Sequence, residues 1–409
     1  MISRVFAGFH RLERRARFLI AARALRSVAQ GALVVDFTLY LRALAWPATR
    51  IGAVMAAGLL LGVVLTLALG PLSDRVGRKR FLLGYEVVQV VAAAIALATS
   101  RPLWLGLAAV AGSFGRGGNG ATGPFSPIEQ AWLAADLSST RLLNLFRLNT
   151  AVGFFGMAAG ALVAMLPGVL ATWLPGPLAY RPIFALAGVT AVLCFVLLRA
   201  IDEPRLIAMP RAQPAEQRRE EGRRLFRLMN ANALNGLGIG MVGPFIAYWF
   251  HIRFGVGPAA IGPVMALGFA LAGWSTIATG RMMRRLGAVD AVIGLRLLGL
   301  IFLALLPFAP SYGIAAALHV LRSTANRATA GMRQALALEL VDIRRRGLAA
   351  SLSTVATQIP RAIGPIIGGW LFDADLLAAP FLAAGALQAG YLLLYRRLFR
   401  GHIGARSDT

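Results

Sequence analysis

The 409-residue chain has one cysteine, four histidines and 17 acidic residues, and all but Lys79 of its 42 basic residues are arginine. Each shortage excludes something. Cys194 alone permits no internal disulfide and sits in an apolar run that reads as inert packing, so thiol and redox chemistry are not expected. With Lys79 as the only lysine, no G-x-x-x-x-G-K-[ST] phosphate loop can occur, and this excludes ATP-driven transport by this chain alone. His10, His251, His319 and His402 are scattered, so neither a metal site nor a cofactor is expected. Charged residues make up 14% of the chain, against about a quarter in soluble proteins, while 58% of it is apolar. A water-soluble enzyme is excluded, and no catalytic residue is assigned.

What is abundant is arginine and apolar length. The formal charge of +25 suggests nucleic acid at first sight, but long charge-free runs separate the arginine clusters, so no nucleic-acid partner is expected. A membrane-crossing helix needs roughly 20 mostly apolar residues. Twelve such runs can be drawn: 18–44, 50–71, 81–99, 103–125, 148–170, 182–199, 228–252, 260–280, 289–308, 311–333, 349–372 and 376–395. Assigning the joints alternately to two sides places nearly all of the arginine clusters on one side, which is the cytoplasmic one by the positive-inside rule. Both termini are therefore expected in the cytoplasm of a multi-pass protein of a bacterial inner (plasma) membrane. The expected organisation is a basic segment 1–17, a six-helix bundle 18–200, a charged linker 201–227 with three prolines, a second bundle 228–396 and a tail 397–409.

A repeat relates the two bundles. Ile51-Gly-Ala-Val-Met-Ala-Ala-Gly58 returns as Ile261-Gly-Pro-Val-Met-Ala-Leu-Gly268, with six of eight positions identical at an offset of 210. Gly70 and Gly77 map on Gly280 and Gly287 at the same offset, Tyr40 on Tyr248, and Asn119-Gly-Ala-Thr122 on Asn326-Arg-Ala-Thr329. The order is kept throughout, which indicates two homologous halves. Duplicated membrane bundles commonly place a binding site between the repeats and alternate access to it by rocking.

Ionisable groups at membrane depth are costly and mark function by default. In the first run Arg23, Arg26, Gln30, Asp36 and Tyr40 fall within an arc of roughly 140°. In the fourth, Ser113, Arg116, Asn119 and Thr122 form an i, i+3 ladder. The seventh contributes Asn232 and Asn235. In the tenth, His319, Arg322, Asn326, Thr329 and Arg333 lie within roughly 80° of one another. Such stripes suit a wet cavity and not lipid. Asp36 is the most informative residue, with Glu86 and Glu129 as rivals nearer a cytoplasmic end. An acid between a cavity and Arg26 or Arg116 can bind and release a proton near neutral pH; the alternative is that Asp36 merely compensates one of those arginines. Arg116 and Arg322 can bind an anion bidentately, whereas Arg361 reads as structural.

The joint Gly70-Pro-Leu-Ser-Asp74-Arg75-Val-Gly77-Arg78-Lys79-Arg80 resembles the signature loop of the major facilitator superfamily, G-x-L-[SA]-D-R-x-G-R-[KR]. A degenerate copy, Gly280-Arg-Met-Met-Arg284-Arg285-Leu-Gly287, extends the resemblance to the whole chain. It implies an all-α membrane protein of twelve transmembrane helices in two pseudo-symmetric six-helix bundles. It also implies that Asp74 meets the start of the eleventh helix near 347–351 and that Arg75 and Arg78 find Glu129 or Asp136, closing a cytoplasmic gate. Arg116-Gly-Gly-Asn119-Gly120 is similar to the R-x-x-Q-G motif of proton-coupled members, with Asn for Gln. The exporter motif G-P-x-x-G-G is missing from the fifth helix, where Gly153, Gly156 and Gly160 keep only a small-residue spacing for close packing. The pattern occurs instead as Gly364-Pro365-Ile-Ile-Gly368-Gly369. The resemblance is closest to proton-coupled drug and metabolite exporters.

The expected function is secondary active transport of a small molecule by alternating access, as proton-coupled export (antiport) of an amphipathic compound. Its partners would be substrate, protons and the lipid bilayer, and a monomer is expected. Uptake or exchange of an organic anion through an arginine-lined cavity is the alternative. A non-transporting sensor on the same scaffold is the third reading.

Overall fold

The computed structural model describes residues 13–115, 129, 132–133, 139–202, 215–286, 288–330, 332–333 and 346–407, with side chains omitted at 69–76, 139–144, 215–225, 277–286, 288, 346–354 and 399–407. The described chain is helical. The long helices are α1 (Arg14–Ala43), α2 (Ala48–Val76), α3 (Arg78–Ala98), α4 (Pro102–Gly112), α5 (Ser139–Val163) and α6 (Arg181–Arg199), then α7 (Ala215–Val242), α8 (Ile246–Phe254), α9 (Pro258–Leu286), α10 (Ala288–Leu305), α11 (Tyr312–Ala328), α12 (Arg346–Asp373) and α13 (Ala379–Ser407). Among the described residues seven helices are long and apolar enough to span a bilayer, and the bent pair α7 and α8 makes an eighth.

Several helices outrun the apolar stretches that predict them. The α1 helix starts at Arg14, α7 at Ala215 inside the expected linker, and α13 runs to Ser407 inside the expected tail. Arginine and glutamate are good helix formers, so the helix continues past the point where the hydrophobic run ends.

Two expected spans are interrupted. The run 228–252 breaks at Gly243-Pro244-Phe245 and bends by 41°, because Pro244 lacks the amide that would continue the ladder. The run 103–125 is not one helix either. Ser113 (φ 54°) and Gly115 (φ 70°) adopt left-handed conformations just after α4. The amides of Ser113 and Phe114 turn back to the carbonyls of Val110 and Ala109, closing the helix end. Gln89 Nε2 satisfies the freed Gly112 carbonyl at 2.9 Å. Of the ladder expected from Ser113 onward, Ser113 lies in this turn, and Arg116, Asn119 and Thr122 lie outside the described residues.

The chain forms two compact units: Met1–Trp46, Ala57–Leu206 and Ala247–Ile277 make the first, and Pro47–Ala56, Ile207–Ile246 and Ala278–Thr409 the second. In the first, α1 packs on α5 and α6, and α3 on α4 and α6. Glycine sets the α1–α5 distance: a Cβ built on Gly156 would lie 2.8 Å from the Ala24 carbonyl oxygen, and one on Gly160 would collide with the Val28 carbonyl. Gly31 faces Met157 Cα in the same way, at 2.7 Å. In the second unit, α7 packs on α12 and α13, and α10 on α11 and α13. Here a Cβ on Gly364 would lie 2.6 Å from Gly240 Cα, and Gly368 meets the Met241 carbonyl. Gly156, Gly160 and Gly31 correspond to Gly364, Gly368 and Gly240 at offsets of 208 and 209, so the two units are built on the same glycine seam.

The repeated octapeptide supplies a second seam. Gly52 packs on the Pro365 backbone within the second unit, and its copy Gly262 packs on the Ala161 carbonyl within the first. Beside Gly52, the Asp373 carboxylate accepts the amides of Ala48 (2.7 Å) and Thr49 (2.8 Å), capping the start of α2. In the first unit Lys79 Nζ donates to the carbonyls of Arg199 (2.8 Å) and Ile201 (2.6 Å), so the single lysine caps the end of α6.

Candidate functional site

The buried polar groups of the first unit gather on α1 and its neighbours. Arg26 Nε lies 3.0 Å from Glu86 Oε1 of α3, and Arg26 Nη2 pairs with Glu129. All three side chains are buried. Arg23, one turn earlier and also buried, lies within electrostatic range of Glu129. Gly153 makes room for it: a Cβ there would be 2.8 Å from Arg23 Nε. Two arginines and two glutamates thus form a balanced ionic cluster inside one unit, the arrangement that lets charge persist away from water. Beside it lies a cavity of about 30 Å³ lined by Arg26, Gln30, Glu86, Gln89, Ser113 and Thr190. That exceeds the roughly 10–15 Å³ that one ordered water needs, and these side chains offer it polar partners.

Asp36 stands apart from this cluster. It is ten positions beyond Arg26 on α1, about 15 Å along the axis, so it cannot compensate Arg26 as the sequence allowed. Its side chain is 1% exposed, and neither carboxyl oxygen has a hydrogen-bond partner among the described residues. Its neighbours in sequence, Phe37 and Tyr40, join an aromatic cluster: Phe37 meets Phe114 edge-on at 5.8 Å, Tyr40 meets Phe184 at 5.1 Å and Tyr180 at 5.9 Å, and Phe114 meets Phe184 at 5.5 Å. Tyr180 lies within electrostatic range of Asp36, and the Tyr40 hydroxyl reaches Ser100 Oγ at 3.4 Å.

In the second unit the centre is Arg296 of α10. It donates to Oδ1 of Asn235 on α7 and, at 3.1 Å, to Oδ1 of Asn326 on α11. Its guanidinium carbon lies 4.9 Å from the centroid of the Tyr391 ring on α13. Asn235 and Asn326, expected on a transport pathway, thus hold an arginine between three helices. His319 and Arg322 are buried on α11, and Asn232 is buried on α7. Arg361 Nη1 reaches Gln358 Oε1 at 3.5 Å. Arg296 was not a candidate from the stripes because it stands alone in an apolar run; its bare presence at membrane depth is the signal that could have found it.

Of the expected gate, Gly77 is at φ 106° between α2 and α3, a conformation that favours glycine. Gly70, Asp74 and Arg75 belong to α2 with their side chains outside the described set, and Asp136 lies outside it altogether. Glu129, expected near Arg75 or Arg78, is a partner of Arg26.

An all-helical, multi-span chain with buried ionic groups inside duplicated units is the architecture of a membrane secondary transporter. A family model described as the Major Facilitator Superfamily matches residues 19–227 and again 228–405, and the chain belongs to that superfamily. It is similar to an uncharacterized membrane protein of Saccharomyces cerevisiae, 22% identical, covering 98% of this chain and 97% of that one. Among solved structures it resembles the nucleoside transporter NupG (13% identity, 94% of this chain and 98% of that one, TM-score 0.71). It also resembles a bacterial homolog of the human lysosomal transporter Spinster in an inward-facing, occupied conformation (15% identity, 94% and 96%, TM-score 0.72). These likenesses establish the fold, and family membership makes the chain a transporter and not an enzyme.

Proposed function

We propose that the chain is a twelve-span secondary active transporter in which two six-helix bundles, 18–200 and 228–396, rock to expose a small amphipathic compound to either side, and that export is driven by inward proton movement. The observation that supports it is Asp36. A buried carboxyl within the first span, lacking any hydrogen-bond donor among the described residues, has nothing to stabilise it but a proton or a bound ligand. Exposure to one side and then the other would load and discharge it. The loop 70–80 serves as the cytoplasmic latch in this scheme, both termini lie in the cytoplasm, and the protein works as a monomer.

The test uses full-length protein in proteoliposomes with a trapped pH-sensitive dye. The compound is the one that most raises the melting temperature of the purified protein in a library screen, since a ligand of the native state stabilises it. Compound efflux should be accompanied by proton uptake in the wild type. Asp36→Asn should abolish the proton signal while leaving thermal stability near that of the wild type. Gradient-driven efflux persisting in Asp36→Asn would end the coupling role.

A further inference from the structure

Arg322 is 8% exposed and, among the described residues, makes no hydrogen bond or ion pair. A guanidinium has five donors and cannot shed its charge, so burying it alone is costly. Its surroundings make matters worse. Arg327 and Arg296 lie within its electrostatic reach. Arg296 is fixed by the carbonyl oxygens of Asn235 and Asn326 and by the Tyr391 ring. Those are neutral acceptors, which orient the guanidinium without cancelling its charge. The acids of the second unit whose side chains are described, Asp290, Asp373 and Asp375, are all exposed, and Asp373 is taken up by the start of α2.

The repeat locates this imbalance. Glu86 corresponds to Arg296 at the offset of 210, and Arg26 to Asn235 at 209. Where the first half has an arginine on its first helix and an acid on its third, the second has an amide and an arginine. Among the described side chains, the first unit carries its own counter-charge at this level and the second does not.

We infer that the second unit contains an anion-binding centre in which Arg322, backed by Arg296, receives the carboxylate, sulfonate or phosphate group of the transported compound. This rests on the transporter reading and supplies its substrate class: an amphipathic molecule with an anionic end. Arg322 offers the open donors and Arg296, held rigid, adds field without competing for the contact. Arginine suits this role because its planar fork meets two oxygens at once.

The experiment compares benzenesulfonate with benzenesulfonamide, which share a skeleton and differ in charge, by thermal unfolding of the full-length protein in detergent at constant ionic strength. Benzenesulfonate should raise the melting temperature in a saturable way and the sulfonamide should not. Arg322→Gln should weaken the apparent benzenesulfonate affinity at least tenfold, and Arg296→Gln should weaken it severalfold. Arg322→Lys, which keeps the charge and loses the fork, should fall between wild type and Arg322→Gln and serves if the glutamine variant does not fold. Equal responses to the two compounds, no response to either, or a wild-type response in both Arg322→Gln and Arg296→Gln would overturn the proposal. Asp36→Asn separates this from the coupling scheme. An Asp36→Asn protein that binds benzenesulfonate like the wild type while still driving efflux sinks proton coupling and leaves the anion centre standing; loss of discrimination in the arginine variants with coupling intact does the reverse.

Discussion

The two halves of the chain share a packing scheme and differ in charge. The α1–α5 seam, through Gly31, Gly156 and Gly160, is repeated in the α7–α12 seam through Gly240, Gly364 and Gly368. At the level of Arg26 the likeness ends: its partners are Glu86 and Glu129, whereas the corresponding level of the second half holds Arg296 between two asparagines. Where one backbone rests on another, only hydrogen fits in place of a side chain, so drift is blocked. Where side chains meet, charge can be exchanged provided something else balances it, and the duplicated halves have used that freedom.

The comparison can be broken by measurement. The largest effect is expected for Arg26→Ala, which leaves two buried glutamates facing each other and should cost about 3–5 kcal/mol, read as loss of folded protein in a denaturant titration in micelles. Asn235→Ala should cost less, about 1.5–3 kcal/mol, because Arg296 retains Asn326 and Tyr391. Equal losses for these two variants would mean that the second half depends on its polar centre as the first does. Gly156→Ala and Gly364→Ala should each cost about 1–3 kcal/mol through overpacking, and similar falls in melting temperature would confirm that the seams are equivalent. Smallest are Gly84→Ala and Gly294→Ala, a repeat-related pair with no atom within 4 Å of an added Cβ. Both should be neutral or stabilising by less than about 1 kcal/mol.

The apolar runs and the repeat make the spanning helices legible, since hydrophobic length is what a bilayer demands. The breaks are less so. Gly243-Pro244 announces the bend between α7 and α8, but nothing in Gly112-Ser-Phe-Gly115 distinguishes the turn after α4 from continued helix, because a left-handed serine at a helix end depends on the Phe114 contacts that follow. The polar stripe of α1 is also readable from periodicity, yet it merges two separate things. Arg23 and Arg26 answer to α3 and Glu129, while Asp36, ten positions beyond Arg26, lies within electrostatic range of Tyr180. Helical spacing reports which side chains share a face and says nothing of which distant residue meets them. Arg26 and Glu86, 60 positions apart, find each other only through packing.

The cap on α2 bears on how the protein is made. Ala48 and the carboxylate that receives its amide are separated by 325 positions. As the chain emerges from the ribosome and enters the membrane, α2 must wait for almost the entire sequence to be synthesised before its first turn is sealed. Until then those amides must be served by water or lipid headgroups, so a chain that stops before Asp373 carries an unsealed helix end.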